Sequence, residues 1–370
     1  MYLLALWNEN EIQELNYRIR YLELSSCRNI RYDIIRIIAC VMIVTMHSPI
    51  PNENANGNFL SLLSYITASG IGLFFMISGS LLLPMRLDID GFLKKRFSRV
   101  VFPSIIWSLF YICANELMLN KSIGVKELLS IPFSAQGTPV LWFIYTLLGL
   151  YLLVPILSRW IKNASFKELE FYLGLWGLSL CNPFLKYVVD INMSNTGILY
   201  YSSGYVGYFV LGYYLKTYPD RVTWKILIPA LAVSIVIPVV CKLQNIEVDF
   251  YDLFWYLSIF VVIQCVCWWK AICCIKQSAI GERVGRVITE LSKMTFGIYL
   301  IHIFIMRYVL WHCDFILSIE NYYLQTAVII VLTFVLSVLC TYLIGLLPQS
   351  KYIVGYKTLR QSRKIKKLKD

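Results

Sequence analysis

This sequence is short of charge. Only 15% of its 370 residues are charged, while 58% are hydrophobic. A soluble domain carries about 25% charged residues. So little charge excludes a single water-soluble core and points to a chain whose outer surface is apolar as well, a multi-pass membrane protein. Soluble insertions are missing too, since no polar stretch between apolar runs exceeds about 25 residues. There is no internal repeat. Cys-x-x-Cys is absent, and most of the eleven cysteines lie in apolar runs, where they act as small hydrophobes. That excludes a zinc site and a disulfide framework, and no metal is expected. The opening "MYLLALW" is too short for a signal peptide and is soon followed by Glu9 and Glu11. Residues 1–30 read as an N-terminal cytoplasmic extension, with residues 8–32 forming an amphipathic interfacial helix or merely an upstream extension of the reading frame.

What is present is a series of apolar runs near membrane-spanning length. They fall at about 32–50, 59–83, 100–119, 140–158, 169–189, 201–216, 223–241, 251–269, 294–312 and 322–346. The expected fold is an all-α integral membrane bundle of about ten transmembrane helices. Ten crossings put both termini on one side. Loops on that side then hold 28 lysines and arginines, against four on the other. This asymmetry predicts cytoplasmic termini, in the cytoplasmic (inner or plasma) membrane. The net charge of +12 is thereby assigned to topology, and no nucleic acid partner is expected. The organisation is an extension over 1–30, a transmembrane domain over 31–346 and a basic cytoplasmic tail over 347–370.

The stretch "RYDIIRIIACVMIVTMHSPIP", residues 31–51, sets Arg36 and His47 at the ends of an apolar segment with ten residues between them. Eleven helical steps span about 16 Å and return to within about 20° of the starting direction. Both side chains therefore share one face, with Asp33 near enough to pair with Arg36. The hydrocarbon layer is about 30 Å thick, so an interfacial Arg36 places His47 near mid-depth. Pro49 and Pro51 then break the helix, and irregular backbone at that depth is tolerated only against protein or a wet cavity. The stretch reads as a polar track leading to an imidazole beside a cavity. A snorkelling Arg36 with an interfacial His47 is the competing geometry.

Further polar groups interrupt the apolar pattern. Arg96 and Arg99 share a helix face before the third span, where they suit phosphate oxygens or serve as ordinary positive anchors. "SGIGLFFMISGSLLLP" offers Gly70, Gly72 and Gly79 for close helix packing and Ser78 for a cavity wall. Tyr299 and His302 stand three residues apart in the ninth span. The chain has only three histidines, and an intramembrane ionisable group is a functional candidate. His312 reads as interfacial. Asn115 and Glu116 either face the same cavity or cap a helix end.

Taken together these motifs resemble acyltransferase family 3, the integral membrane O-acyltransferases. Arg36 and His47 match its first-span Arg-X10-His pattern, and Arg96 and Arg99 its Arg-X-X-Arg pattern. Residues 74–79 match its "FF-x-x-SG", while 141–147, 208–215 and 297–302 resemble its later motifs, in order. The resemblance implies transfer of an acyl group, usually acetyl from acetyl-CoA, to a hydroxyl of a cell-surface polysaccharide or a lipid-linked sugar. On that basis His47 is expected as general base, and Arg36 as a positioning or neutralising cation. Arg96 and Arg99, with Ser78, are expected at the acetyl-CoA site, and Tyr299 or His302 at the oxyanion or acceptor. An acetyl-histidine relay is a variant of this scheme. A non-enzymatic exporter or flippase of a glycan or lipid-linked sugar is the alternative, although no internal halves of the kind common in transporters are visible.

Overall fold

The computed structural model describes residues 28–51, 57–119, 124–135, 138–190 and 197–358. The expected extension over 1–30, except its last three residues, and the tail beyond 358 lie outside the described residues. Among the described residues there is no strand. The helices are α1 (Ile30–His47), α2 (Gly57–Thr67), α3 (Ser69–Leu82), α4 (Ile89–Leu119), α5 (Val125–Ser130), α6 (Trp142–Asn163), α7 (Phe166–Ser179) and α8 (Asn182–Val189). They continue as α9 (Val206–Thr217), α10 (Trp224–Leu243), α11 (Phe250–Leu253), α12 (Ile259–Cys273), α13 (Glu282–Ile303), α14 (Asp314–Leu317), α15 (Tyr322–Ile344) and α16 (Ser350–Val354).

Six helical segments are long and apolar enough to cross a membrane: Gly57–Leu82, Ile89–Met118, Pro139–Asn163, Trp224–Leu243, Glu282–His312 and Tyr322–Ile344. The four other expected spans fall on α1, α7 with α8, α9 and α12. Helix α1 has 18 residues but carries Arg31, Asp33 and Arg36. Helices α7, α9 and α12 have 14, 12 and 15 residues. Helix α9 is apolar for a different reason from a lipid-facing span. In α9 every residue from Gly207 to Leu215 is buried inside the protein.

Helix α3 is the strut around which the bundle is built. Its small residues allow backbone approaches that a side chain would block. A Cβ on Gly79 would lie 2.1 Å from the Phe209 carbonyl oxygen of α9, and one on Gly212 of α9 would lie 1.9 Å from that of Met76. On another face, a Cβ on Gly70 would meet the Ala39 carbonyl of α1 at 2.8 Å. The glycines of "SGIGLFFMISGSLLLP" thus pack α3 against α1 and α9.

Helix α1 also runs parallel to α13. Asp33 meets Thr289 and Ser292, Cys40 lies against the Thr295 carbonyl, and His47 faces His302. Past His47 the chain leaves the helix, as the two prolines require. The released carbonyls find protein donors: Trp311 Nε1 donates to Ser48 at 3.3 Å, and the Tyr322 hydroxyl to Ile50 at 3.1 Å.

Candidate functional site

The charged end of the site is organised by one carboxylate. Asp33 is 1% exposed and accepts from Arg28 Nε at 2.7 Å and Nη2 at 2.8 Å. It also accepts from Ser292 Oγ at 2.7 Å, Arg36 Nη1 at 3.3 Å and Thr289 Oγ1 at 3.4 Å. A buried carboxylate is tolerated when its lone pairs are filled in this way. The outcome is positional: Arg28 and Arg36 are held side by side at the mouth of a cavity.

That cavity has a volume of about 630 Å³ and is bounded by α1, α3, α4, α6, α13 and the segment around α16. Seven of its lining residues are cationic and none is acidic: Arg28, Arg36, Arg96, Arg99, Lys293, Lys351 and Lys357. Arg28 and Arg36 are paired with Asp33, and Lys293 with Glu290 at 2.6 Å. Arg96, Arg99, Lys351 and Lys357 have no ion-pair partner among the described residues. The Arg96 Nε is buried without a hydrogen-bond acceptor. Cations left without counterions around an open-mouthed cavity form a receptor for a multiply charged anion.

Ser78 lines the same space, next to Tyr151 of α6, whose phenol also lies within electrostatic reach of Arg36 and Arg96. The inner end is aromatic. Phe143 packs between Phe74, at 5.9 Å, and Tyr299, at 5.4 Å between ring centroids. Tyr299 is the furthest residue along α13 that reaches the cavity, and its hydroxyl donates to the Val140 carbonyl at 3.0 Å.

Behind this floor lie the two imidazoles. The Tyr299 ring is 5.6 Å from that of His302, which is 5.9 Å from that of His47. Neither histidine lines the cavity. His302 is 1% exposed and its Nδ1 is 2.6 Å from the Tyr299 carbonyl. A carbonyl only accepts, so Nδ1 carries the proton and Nε2 of the neutral ring is left as an acceptor. That Nε2 is buried with no partner. His47 keeps partial exposure.

Just past His302 the helix widens into a π-helical turn over Phe304–Val309. A phenol sits at its start. The Tyr111 hydroxyl of α4 donates to the Leu300 carbonyl at 2.7 Å and accepts from the Phe304 N–H at 3.2 Å. Those two backbone groups are i and i+4, so the phenol has inserted itself into an α-helical hydrogen bond. The widened turn carries Arg307, whose charge bears on both imidazoles and whose Nε has no partner. Tyr308, in the same turn, donates to Asn115 of α4.

Five of the seven residues singled out from the sequence, Arg36, Ser78, Arg96, Arg99 and Tyr299, therefore share one cavity, while His47 and His302 form a pair behind Tyr299. Sequence reasoning missed Arg307 and Tyr151. For Arg307 a signal existed. Of the 34 lysines and arginines, only it and Arg36 fall in neither set of loops. Tyr151 carried no such signal, being one of 26 tyrosines. Among the described residues there is no cluster of three or more His, Cys, Asp or Glu able to hold a metal ion.

No curated protein and no solved structure is detectably similar to this chain. A family model described as "Acyltransferase domain" matches residues 29–346, a range that takes in Arg36, His47, the arginine pair and the Tyr299–His302 segment. By that match, in an all-helical membrane protein, the chain belongs to acyltransferase family 3 and is a membrane acyltransferase.

Proposed function

We propose that this membrane acyltransferase moves an acetyl group from acetyl-CoA to a hydroxyl of a cell-surface polysaccharide or lipid-linked sugar, with His47 as the general base. The observation that carries this reading is the unpaired charge of the cavity. A coenzyme A thioester bears a diphosphate and a phosphomonoester, and arginine forks suit both. Arg96 and Arg99 hold these phosphates beside Ser78, with Arg36 fixed by Asp33 further along the wall. The positive-inside bias of the sequence supports a mouth on the cytoplasmic side, where acetyl-CoA is found.

The pantetheine arm then carries the thioester inward to the aromatic floor. For reaction, the Tyr299 side chain leaves its bond to Val140 and admits the thioester carbonyl to the imidazoles. His47 takes the proton of the acceptor hydroxyl as its oxygen attacks that carbonyl. The carbon–sulfur bond breaks, the ester forms, and the imidazolium returns its proton to the departing thiolate. The Tyr299 hydroxyl and the Arg307 guanidinium meet negative charge on the carbonyl oxygen. His302, with its proton on Nδ1, orients the acceptor through Nε2.

The test is transfer of radiolabelled acetyl from acetyl-CoA to surface glycan in membranes carrying the wild-type chain or His47→Ala at equal abundance. Transfer by the wild type and its loss in the variant support the reading. Equal transfer by both rejects His47, and absence of transfer with the wild type rejects the donor.

A further inference from the structure

The chain past the last apolar helix does not leave the bundle at once. After α15 it turns through Leu346–Pro348 and forms α16 (Ser350–Val354). It then reverses at Gly355, which has φ +67°. The Thr358 N–H donates back to the Gly345 carbonyl at 3.2 Å, so that residues 345–358 close on themselves. This loop is seated firmly. Val354 is 0% and Tyr356 4% exposed. Trp107 Nε1 of α4 donates to the Ile353 carbonyl at 2.9 Å. On the other side, a Cβ on Gly355 would meet the Phe296 ring of α13 at 2.7 Å. The loop is thus wedged between α4, which carries Arg96 and Arg99, and α13, which carries Lys293.

Four residues of this loop, Lys351, Gly355, Tyr356 and Lys357, line the cationic cavity. All lie beyond residue 346, where the match to the family ends. Lys351 and Lys357 are two of the four lining cations that have no ion-pair partner among the described residues. The Tyr356 hydroxyl reaches Glu290 at 3.5 Å, the carboxylate that neutralises Lys293.

We propose that the 345–358 loop completes the donor site, with Lys351 and Lys357 binding phosphate at the nucleotide end of the coenzyme A thioester. The inference rests on the donor reading above and adds to it a second group of cations lining the same cavity as Arg96 and Arg99. The two groups divide the work. The arginine pair offers planar forks, whereas the lysines are point charges on flexible stems that suit a terminal phosphomonoester. The 3′-phosphate is the group that distinguishes coenzyme A from its dephospho form, so the lysines set that preference.

The experiment measures binding of coenzyme A and of 3′-dephospho-coenzyme A to the full-length protein in neutral-lipid nanodiscs. The wild type is compared with Lys351→Gln, Lys357→Gln, the double variant, and Lys225→Gln as a charge control remote from the cavity. Thermal unfolding of each sample checks that the loop still docks, since both lysines are partly exposed and their replacement leaves Val354 and Tyr356 in place. The expected result is about a tenfold weaker affinity for coenzyme A in the double variant. Little change is expected for the dephospho form, and none for Lys225→Gln. Equal affinity of wild type and double variant for coenzyme A overturns the inference and leaves the donor reading standing. No binding by the wild type overturns the donor reading and the inference together. An effect seen only when anionic lipid is added to the nanodiscs assigns the lysines to lipid headgroups and overturns the inference.

Discussion

The His47 imidazole, at the last position of α1, stands 5.9 Å from that of His302 on α13. That pairing follows from two parallel helices tied together far away, at Asp33 and Ser292. His302 has spent its Nδ1 proton on the Tyr299 carbonyl, while His47 remains partly exposed. Both rings keep a nitrogen able to accept a proton, and it is the exposure of His47, against the sealed Nε2 of His302, that favours His47 for an incoming hydroxyl. His47→Ala is expected to lower kcat at least about a hundredfold while the KM for acetyl-CoA holds. His302→Phe, which keeps a ring in the gap, is expected to lower kcat by about tenfold. Steady-state kinetics with purified protein decides between them, and a greater loss in His302→Phe would reverse the assignment.

Arg96 and Arg99 face the cavity without counterions, so donor binding should carry the signature of screened charge. Arg99→Ala should raise the KM for acetyl-CoA by about tenfold and that of the acceptor much less. Raising salt from 0.05 to 0.5 M shortens the Debye length from about 14 to about 4 Å. The wild-type donor KM should climb across that range, and the climb should be shallower in Arg99→Ala. A donor KM indifferent to both salt and substitution would remove these arginines from the phosphate site.

The parts of this site that were legible in the sequence are those where a polar residue breaks an apolar pattern. Arg36 and His47 stand out because a helix of fixed pitch puts them on one face, and Pro49 announces where that helix stops. The glycines of α3 were legible as packing residues because nothing larger permits the contact with Phe209. Hydropathy could not separate α9, buried in protein, from a helix facing lipid, since both are apolar. The return of residues 350–358 into the cavity wall was hidden for another reason. It depends on a single reversal at Gly355 and on docking against Trp107 and Phe296, contacts distant in sequence. The aromatic floor between the cavity and the imidazoles was equally hidden, because it is assembled from three helices.

Asp33 holds two arginines and two hydroxyls with a carboxylate that is 1% exposed. Removing it leaves Arg28 and Arg36 facing each other without a shared anion. Asp33→Ala should destabilise the protein by about 3 kcal/mol, the lower part of the range for breaking a buried pair, because Arg28 and Arg36 retain some solvent. Asp33→Asn keeps the shape and two of the acceptor lone pairs, and should cost less. In both variants the donor KM should rise, since Arg36 loses its anchor. Thermal unfolding in detergent and donor kinetics measure the two effects separately. Wild-type stability in Asp33→Ala would show that the network carries no such load.

The Tyr111 hydroxyl is the wedge that keeps Leu300 and Phe304 from bonding each other directly. Tyr111→Phe removes the wedge and little else, because the ring stays packed beside Trp107 and Phe110. The Leu300 carbonyl and the Phe304 N–H, which already donates to the Ile301 carbonyl as well, can then close the ordinary α-helical bond, which replaces the lost hydrogen bonds. Stability should change by no more than about 1 kcal/mol. Loss of the π-helical turn removes one residue's worth of rotation, so side chains beyond it swing by about 100°. Arg307 would then point away from His47 and His302, and Tyr308 away from Asn115. The expected outcome is a protein that melts like the wild type yet loses kcat by about tenfold or more. A double variant, Tyr111→Phe with Arg307→Gln, should be no worse than Arg307→Gln alone, because both act through the same guanidinium. Additive losses would mean that Tyr111 acts on the chemistry by some route other than the turn it holds open.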